Sequence, residues 1–593
     1  MDSPSQTHHI YEFGTFRLLT RERVLRCEGA SVNLSAKAFD GLLLLLERGS
    51  EMLSKEEMMQ RLWPDTAVSE NSLAQLISSL RKTLSEHWPN HRLIETVSGR
   101  GYRFVARVQS KPDTNELSPP AVDTLSAHRA GHELTSLAVL PFRLLSAASH
   151  DEYLALGMAD TLITRLSNAT QLIVRPTSAV SGLGNAERDG QLLGRKLNVA
   201  AVLEGSLQRD GERLRVTVQL VRVGDGAVLW ATKFDEQFTD IFAVQDTIAE
   251  QVVRALALQL SDDGQRLLAI RQTESHAAHL AYLKGRYFLS RRTEEGLKNA
   301  VRYFQQAIAH DPTYALAYAG LADAFIIPGV LHVAPPRETY PKAKAAVRQA
   351  LEINPSLAEA YASLGMIRFY FDWDWAGSAE ALQHAIALNP NDVEAHYWYG
   401  WLLVAQGKTE TALEELHYAQ ELDPLSLIIG TLISGALFYQ RQYEHAAEQS
   451  RKVLEMEPGF ALAHHCLSRI YLAQQRYDQA IEAAQTALKQ MESNLLMIAT
   501  LGLIQAQAGN PVEARRALQE LHERANYRYV TAHFPAVIYT ALQEYEQAFA
   551  CFERAVEERC GYLVWLNTDP MFDNLRSDPR FHRLLEQVGF WRP

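Results

Sequence analysis

Along the first hundred residues, apolar and polar positions alternate, then fall into helical spacing, then alternate again. Residues 10–34, with β-favouring runs such as YEFGTFRLL and the turn CEGA, predict short strands. Helical spacing begins after Ser35, an N-cap, and runs through Leu46 to a stop at Gly49. A second helix is predicted from about Ser54 to Trp63, where Pro64 ends it. The third occupies VSENSLAQLISSLRKTL, Val68 to Leu84, with Ser69 as its cap. Leu73, Leu76, Ile77, Leu80 and Leu84 share one face of it and must pack inward. HRLIETVSGRGYRFVARV then alternates on both sides of a Gly99 to Gly101 turn, which predicts a β-hairpin.

Residues 109–134 are polar, carry three prolines and lack periodicity, so they read as a linker. From Leu137 the pattern alternates strand and helix: SLAVLPF, a helix over 151–168, QLIVRP, a short helix near 190–197, three strands to Phe234 and a helix over about 240–260. The remainder repeats. Ala412, Ala446, Ala480, Ala514 and Ala548 lie 34 residues apart, and Pro390, Pro424 and Pro458 keep the same period. Polar turns fall between them, so each unit is helix, turn, helix, with a small residue where two helices cross closely. The unit 393–426, with Gly400, Leu403, Ala412, Leu416, Ala419 and Pro424, resembles the tetratricopeptide repeat, and the likeness covers about 275–560. One unit is stretched, with 43 residues from Pro312 to Pro355, and IPGVLHVAPP is expected to hold an extra loop. After Cys560 the period breaks, and 561–593 is expected to cap the solenoid.

The expected fold class is therefore multidomain: a disordered start over 1–9, a winged helix-turn-helix of α+β type over 10–108, a linker over 109–134, an α/β domain over 135–262, an all-α solenoid over 275–560 and a terminal cap. Length agrees, since 593 residues exceed a single core. Four cysteines, Cys27, Cys466, Cys551 and Cys560, are too few and scattered for a disulfide framework or a zinc site. MDSPSQTHHI lacks the basic start and apolar run of a signal peptide, and no apolar run approaches the 18 or so residues of a membrane span, so a soluble, cytoplasmic protein is expected.

Net charge is −12, but it is unevenly placed: residues 1–110 hold 14 Lys and Arg against 13 Asp and Glu, and the remainder 44 against 57. Within 78–107 six basic residues, Arg81, Lys82, Arg92, Arg100, Arg103 and Arg107, face two acidic ones, Glu86 and Glu95. The outer face of the third helix carries Asn71, Ser72, Gln75, Ser78, Ser79, Arg81 and Lys82. Short polar groups let a helix approach base edges in the major groove, and the cations meet phosphates. A solvated surface without a ligand is the bland alternative for this helix taken alone.

The stretches LSAKAFDGLLLLL, SKEEMMQRLWP, SENSLAQLISSLRKTL and IETVSGRGYRF together resemble the winged-helix DNA-binding domain of the OmpR family of response regulators, also present in CadC-type and ToxR-type activators. The resemblance implies that the helix over about 70–86 enters the major groove and that the hairpin, with Arg100, Tyr102 and Arg103, touches the backbone or minor groove. It also implies that the loop with Trp63, Asp65, Thr66 and Val68 faces RNA polymerase. One departure stands out: many relatives carry an arginine just before the first wing glycine, where Ser98 stands here. In the middle, LAVLPF, LGRKLNVAAVLEGSLQRDGERLRVTVQLV and LWATKFDEQFTDIFAVQDTIAEQV resemble the α/β domain related to the TolB amino-terminal region.

Enzyme chemistry finds little support: there is no HExxH, GxSxG, zinc-deaminase or kinase pattern, and GQLLGRKL has the wrong glycine spacing for a phosphate loop. His464, His465 and Cys466 form the densest ligand cluster but read as packing and surface residues of a repeat helix. Trp373, Trp375, Trp398 and Trp401 are either repeat core or part of a concave binding face. The whole is similar in architecture to soluble HilA-like regulators rather than to membrane-tethered ones. The expected function is a bacterial one-component, sequence-specific transcription regulator, with double-stranded promoter DNA and RNA polymerase as partners and a protein, peptide or small ligand on the solenoid. A homodimer on adjacent half-sites is expected too; no cofactor, metal or membrane contact is. The competing reading is an interaction scaffold with a degenerate DNA-binding domain.

Overall fold

A computed structural model describes most of residues 9–112, where 63–72 and 85–92 are the longest stretches left out, most of 136–256, and 272–590 apart from 493. The chain divides into two compact units, Met1–Ala130 and Gly131–Pro593.

In the first unit, β1 (His9–Phe13), β2 (Phe16–Leu19), β3 (Val24–Cys27) and β4 (Ala30–Val32) form successive antiparallel pairs. Helices α1 (Ala36–Glu47) and α2 (Lys55–Leu62) follow, with the Ser54 hydroxyl accepting from Glu57 N at 3.1 Å as an N-terminal cap. Between them β5 (Met52–Ser54) joins the hairpin of β6 (Ile94–Val97) and β7 (Gly101–Phe104) in the order β5-β7-β6. A last strand, β8 (Gln109–Pro112), returns to the first sheet and pairs antiparallel with His9–Glu12, giving the order β4-β3-β2-β1-β8. Residues expected to begin the linker therefore complete this sheet, and His9, expected to be disordered, starts it. The pairing is hidden in the sequence because Gln-Ser-Lys-Pro has no apolar alternation; its partner strand supplies the hydrogen bonds. Phe13 stacks on Phe16 at 5.3 Å and meets Phe104 edge-on at 5.0 Å, so one aromatic cluster ties the two sheets together.

The second unit opens with a mixed sheet, in which β9 (Ser136–Val139), β10 (Arg143–Leu144), β11 (Ile173–Val174) and β12 (Ala201–Asp210) pair in parallel. The long strands β12, β13 (Arg213–Arg222) and β14 (Val228–Gln237) form an antiparallel meander, and the order is β11-β9-β12-β13-β14 with β10 beside β12. Helices Glu152–Ser167 and Ile241–Ala255 cover the sheet. This domain does not stand apart from the solenoid, since one continuous hydrophobic core runs from Leu137 to Val588. Buried Arg175 donates to the carbonyls of Leu197 and Asn198 at 2.8 Å, and also to Leu422 O at 2.9 Å and to Glu421 O. The last two carbonyls end the helix Thr409–Leu422, where a cation is favoured by the helix dipole. Ser178 adds a 2.6 Å hydrogen bond to the buried carboxylate of Asp423.

In the solenoid, Ala412, Ala446, Ala480, Ala514 and Ala548 are all fully buried at the helix crossings. A Cβ at Gly400 would sit 2.9 Å from Leu416 Cγ, so this small position serves the same close approach. IPGVLHVAPP is only partly a loop: Ile327 to Val330 are the last turn of the helix Ala315–Val330, and the next helix, Pro336–Ile353, starts after five connecting residues. Pro328 lies inside the final turn.

The chain after Cys560 does more than cover the last repeat. It folds back into the interior faced by the first helix of each pair and reaches early repeats. Trp565 stacks on Tyr439 at 4.9 Å and lies 4.5 Å from Trp401; Phe590 packs on Trp375 at 4.6 Å, and Trp375 Nε1 donates to Val588 O at 3.0 Å. Trp375 and Trp401, expected as core or concave surface, are thus inner-face residues that the chain's own end covers. Arg469 pairs with buried Asp569 at 2.5 Å, and Arg441 with Asp573 at 2.8 Å. Tyr562 is sandwiched between the imidazoles of His332, at 4.1 Å, and His533, at 5.1 Å.

Replacing Arg175 by Met orphans four carbonyls at the junction and is expected to destabilise the second unit by about 3–5 kcal/mol, read as a lower thermal midpoint in calorimetry. A second expectation concerns acid. Burial pushes the imidazoles of His332 and His533 down to about 3 from an ordinary 6.5. Below 6.5 the unfolded chain therefore binds more protons at these positions than the folded one, and stability present above that value is lost as pH falls toward 3. Each imidazole costs about 1.4 kcal/mol per pH unit in that window. His533→Phe removes one such group, so its midpoint should drop less between pH 7 and pH 5 than that of the unaltered protein.

Candidate nucleic-acid interface

The third helix is present where the apolar spacing places it. Among its described residues, Leu73, Ile77, Leu80 and Leu84 are at most 2% exposed and Leu76 is half-buried, packed in one core with α1 and α2 residues such as Leu42 and Met58. This leucine face fixes the rotation of the helix, so the opposite face is turned outward: Ser78 and Arg81 are exposed. Asn71, Ser72, Gln75, Ser79 and Lys82, and the loop residues Trp63, Asp65, Thr66 and Val68, lie outside the described residues.

Arg81 has a role that helical periodicity could not show. Its Nε donates to Ile94 O at 3.1 Å and its Nη2 to Thr96 Oγ1 at 2.7 Å, both on β6. The guanidinium also stands 6.0 Å from the centre of the Tyr102 ring on β7. One side chain thereby ties the outer edge of the helix to the wing.

The wing itself is held close to β5. Arg100 N bonds Val97 O at 3.0 Å to close the turn, and Lys55 N reaches Arg100 O at 3.4 Å. A Cβ at Gly101 would fall 1.9 Å from Leu53 O, so no larger residue fits this approach. Arg100 is exposed at the tip. Arg103 is exposed but paired with Glu95 across the hairpin at 2.7 Å, which offsets its charge. The Tyr102 ring, expected at the surface, is 6% exposed and belongs to the core. Its strand alternation, buried at 102 and 104 and exposed at 103, follows from β7 being the central strand of three, with one face on the helices. Of the ten residues expected to meet DNA, Ser78, Arg81, Arg100 and Arg103 are thus described at an exposed surface of one helix and one hairpin.

No helix among the described residues is long and apolar enough to cross a membrane. No group of three or more His, Cys, Asp or Glu suited to a metal ion occurs among them either.

The chain matches three kinds of family model in order. Residues 29–104 match the transcriptional regulatory protein, C terminal, domain. Residues 133–251 match the HilA/YgeH-like transcriptional regulator, second domain, and 381–414, 461–494 and 536–559 match tetratricopeptide repeats. Transcriptional regulator HilA of Salmonella typhimurium is 26% identical over 423 residues, which cover 71% of this chain and 72% of that relative. Putative adenylate cyclase 3 of Rhizobium meliloti is 30% identical over 187 residues, 32% of each chain. Regulatory protein VirG of Agrobacterium tumefaciens is 35% identical over 108 residues, 18% of this chain and 40% of VirG. The winged helix, the second domain and the repeats, in this order and on one chain, give it the HilA-like architecture of a transcriptional regulator.

Proposed function

We propose that this chain is a sequence-specific, DNA-binding transcription regulator whose third helix reads the major groove while the wing meets the adjacent backbone. The observation that supports this best is the tie from Arg81 to β6, which holds an exposed helix face and an exposed wing tip as one surface. Short polar side chains at Asn71, Ser72, Gln75, Ser78 and Ser79 suit base edges; Lys82 and Arg100 suit phosphates. Arg103 contributes once Glu95 yields to a phosphate. Tyr102 serves as packing behind Arg81. The loop with Trp63, Asp65, Thr66 and Val68 is the proposed surface toward RNA polymerase. The acidic remainder of the chain disfavours non-specific association with nucleic acid.

The second unit is the proposed signal-receiving part, in a protein that acts without enzymatic turnover in the cytoplasm. Self-association that places two winged helices on adjacent half-sites is part of this reading. A protein partner of the repeats would use surfaces other than the inner aromatics, which residues 561–590 already cover.

Genomic fragments selected on the full chain and titrated by fluorescence anisotropy test the reading. Arg100→Ala or Lys82→Ala should weaken all sequences alike and reduce the slope of log K against log salt by about 0.9 for each phosphate no longer neutralised. Gln75→Ala should cost about 1–3 kcal/mol at particular base pairs. Arg81→Ala should weaken binding beyond the removal of one charge, because it frees the helix from the wing; Arg81→Lys cannot restore two directed bonds. Affinity without sequence preference, or unchanged in all five variants, would favour the scaffold reading.

A further inference from the structure

Where the returning C-terminal segment meets the inner helices, a cavity of about 260 Å³ remains. Its walls are aromatic and aliphatic, with Trp401, Phe438, Tyr562 and Trp565 among them. An apolar cavity of about 150 Å³ accepts benzene, so this one has room for a fused two-ring molecule. It is not purely apolar. His332, His465 and His533 all line it, and the Nδ1 atom of each is buried without a hydrogen-bond partner among the described residues. His332 is 4% and His533 8% exposed. Leaving a buried polar atom unpaired costs roughly 1–3 kcal/mol; these Nδ1 atoms are sealed from the space as well, so the three rings meet an occupant by their other edges.

The charge of that occupant follows from the walls. Burial holds all three imidazoles neutral at ordinary pH, with His465 also pushed down to about 3. Arg469, the cation lining the cavity among the described residues, is committed to Asp569 at 2.5 Å and lies 4.7 Å from the Phe438 ring. No unpaired charge among the described residues therefore faces the space, and an ion entering it would lose its hydration without a counter-charge. A neutral imidazole offers one donor and one acceptor, so it pairs with a hydroxyl or a ring N–H.

We propose that this cavity is the binding site for a small, uncharged, planar aromatic molecule of two fused rings bearing one or two hydrogen-bonding groups. The molecule packs against the edges of the aromatic rings that line the space and bonds whichever imidazole nitrogen, other than the sealed Nδ1 atoms, faces it. Because residues between 561 and 572 form part of the wall, occupancy stabilises the docked C-terminal segment. The inference rests on the second unit being the signal-receiving part, but its test needs no DNA, so the two fail separately.

The full chain is titrated calorimetrically with indole and with 2-naphthol, and with indole-3-acetate as a charged comparator. Saturable one-to-one binding of a neutral probe is expected, with a Kd on the order of 10–100 µM, at least tenfold weaker binding of the carboxylate, and a raised thermal midpoint. His332→Phe and His533→Phe should each weaken the neutral probes about tenfold or more while the chain remains folded by circular dichroism. Should either variant fail to fold, 5-bromoindole soaked into crystals of the unaltered protein locates the site by its bromine signal, expected between Trp401 and Tyr562. No saturable heat with either neutral probe overturns the proposal, as does bromine elsewhere, or affinity that the histidine variants leave unchanged.

Discussion

The second unit depends on how closely paired helices can cross. One alanine per 34 residues, fully buried from Ala412 to Ala548, lets the backbones approach, and the repeated crossing curves the array the same way at each step. That accumulated curvature brings His332 and Trp375 near residues more than two hundred positions later, so that the C-terminal segment can touch early and late repeats at once. A bulkier residue at any crossing would change the curvature and with it the fit of Trp565 against Trp401 and Tyr439. Small residues at the crossings thus set the dimensions of the interior.

The same dependence of a surface on what lies behind it holds in the first unit. Leu73, Ile77, Leu80 and Leu84 determine which side of the third helix meets solvent, and Arg81 determines how that side is aligned with the wing. Arg81 resembles Arg175 in this respect. Each guanidinium spends its several donors on acceptors of a neighbouring element, and its planar fork makes a rigid join that a single ammonium could not. In both cases one arginine is a structural tie between elements.

Much was legible because it is local or periodic. The leucine face of the third helix, the Gly99 to Gly101 hairpin, the strand and helix alternation after Leu137 and the 34-residue repeat each leave a signature within a few tens of residues. What was not legible required a partner far along the chain. Gln109 to Pro112 is a strand only because His9 to Glu12 lies beside it, and β5 only because the wing does. Tyr102 reads as a groove contact beside two arginines until β7 proves to be central in its sheet. His465, in a cluster that reads as packing, lines a cavity whose other histidines stand more than sixty residues away.

The sequence by itself determined the kinds of element, their order and the family likeness of each domain, since hydrophobic period, caps and turn glycines act over one or two turns of chain. Only the tertiary structure decided which cations are paired, where the C-terminal segment docks and what it encloses. Those outcomes turn on distances between residues that share no local pattern, and they arise only when helices that cross at small side chains curve far enough to meet.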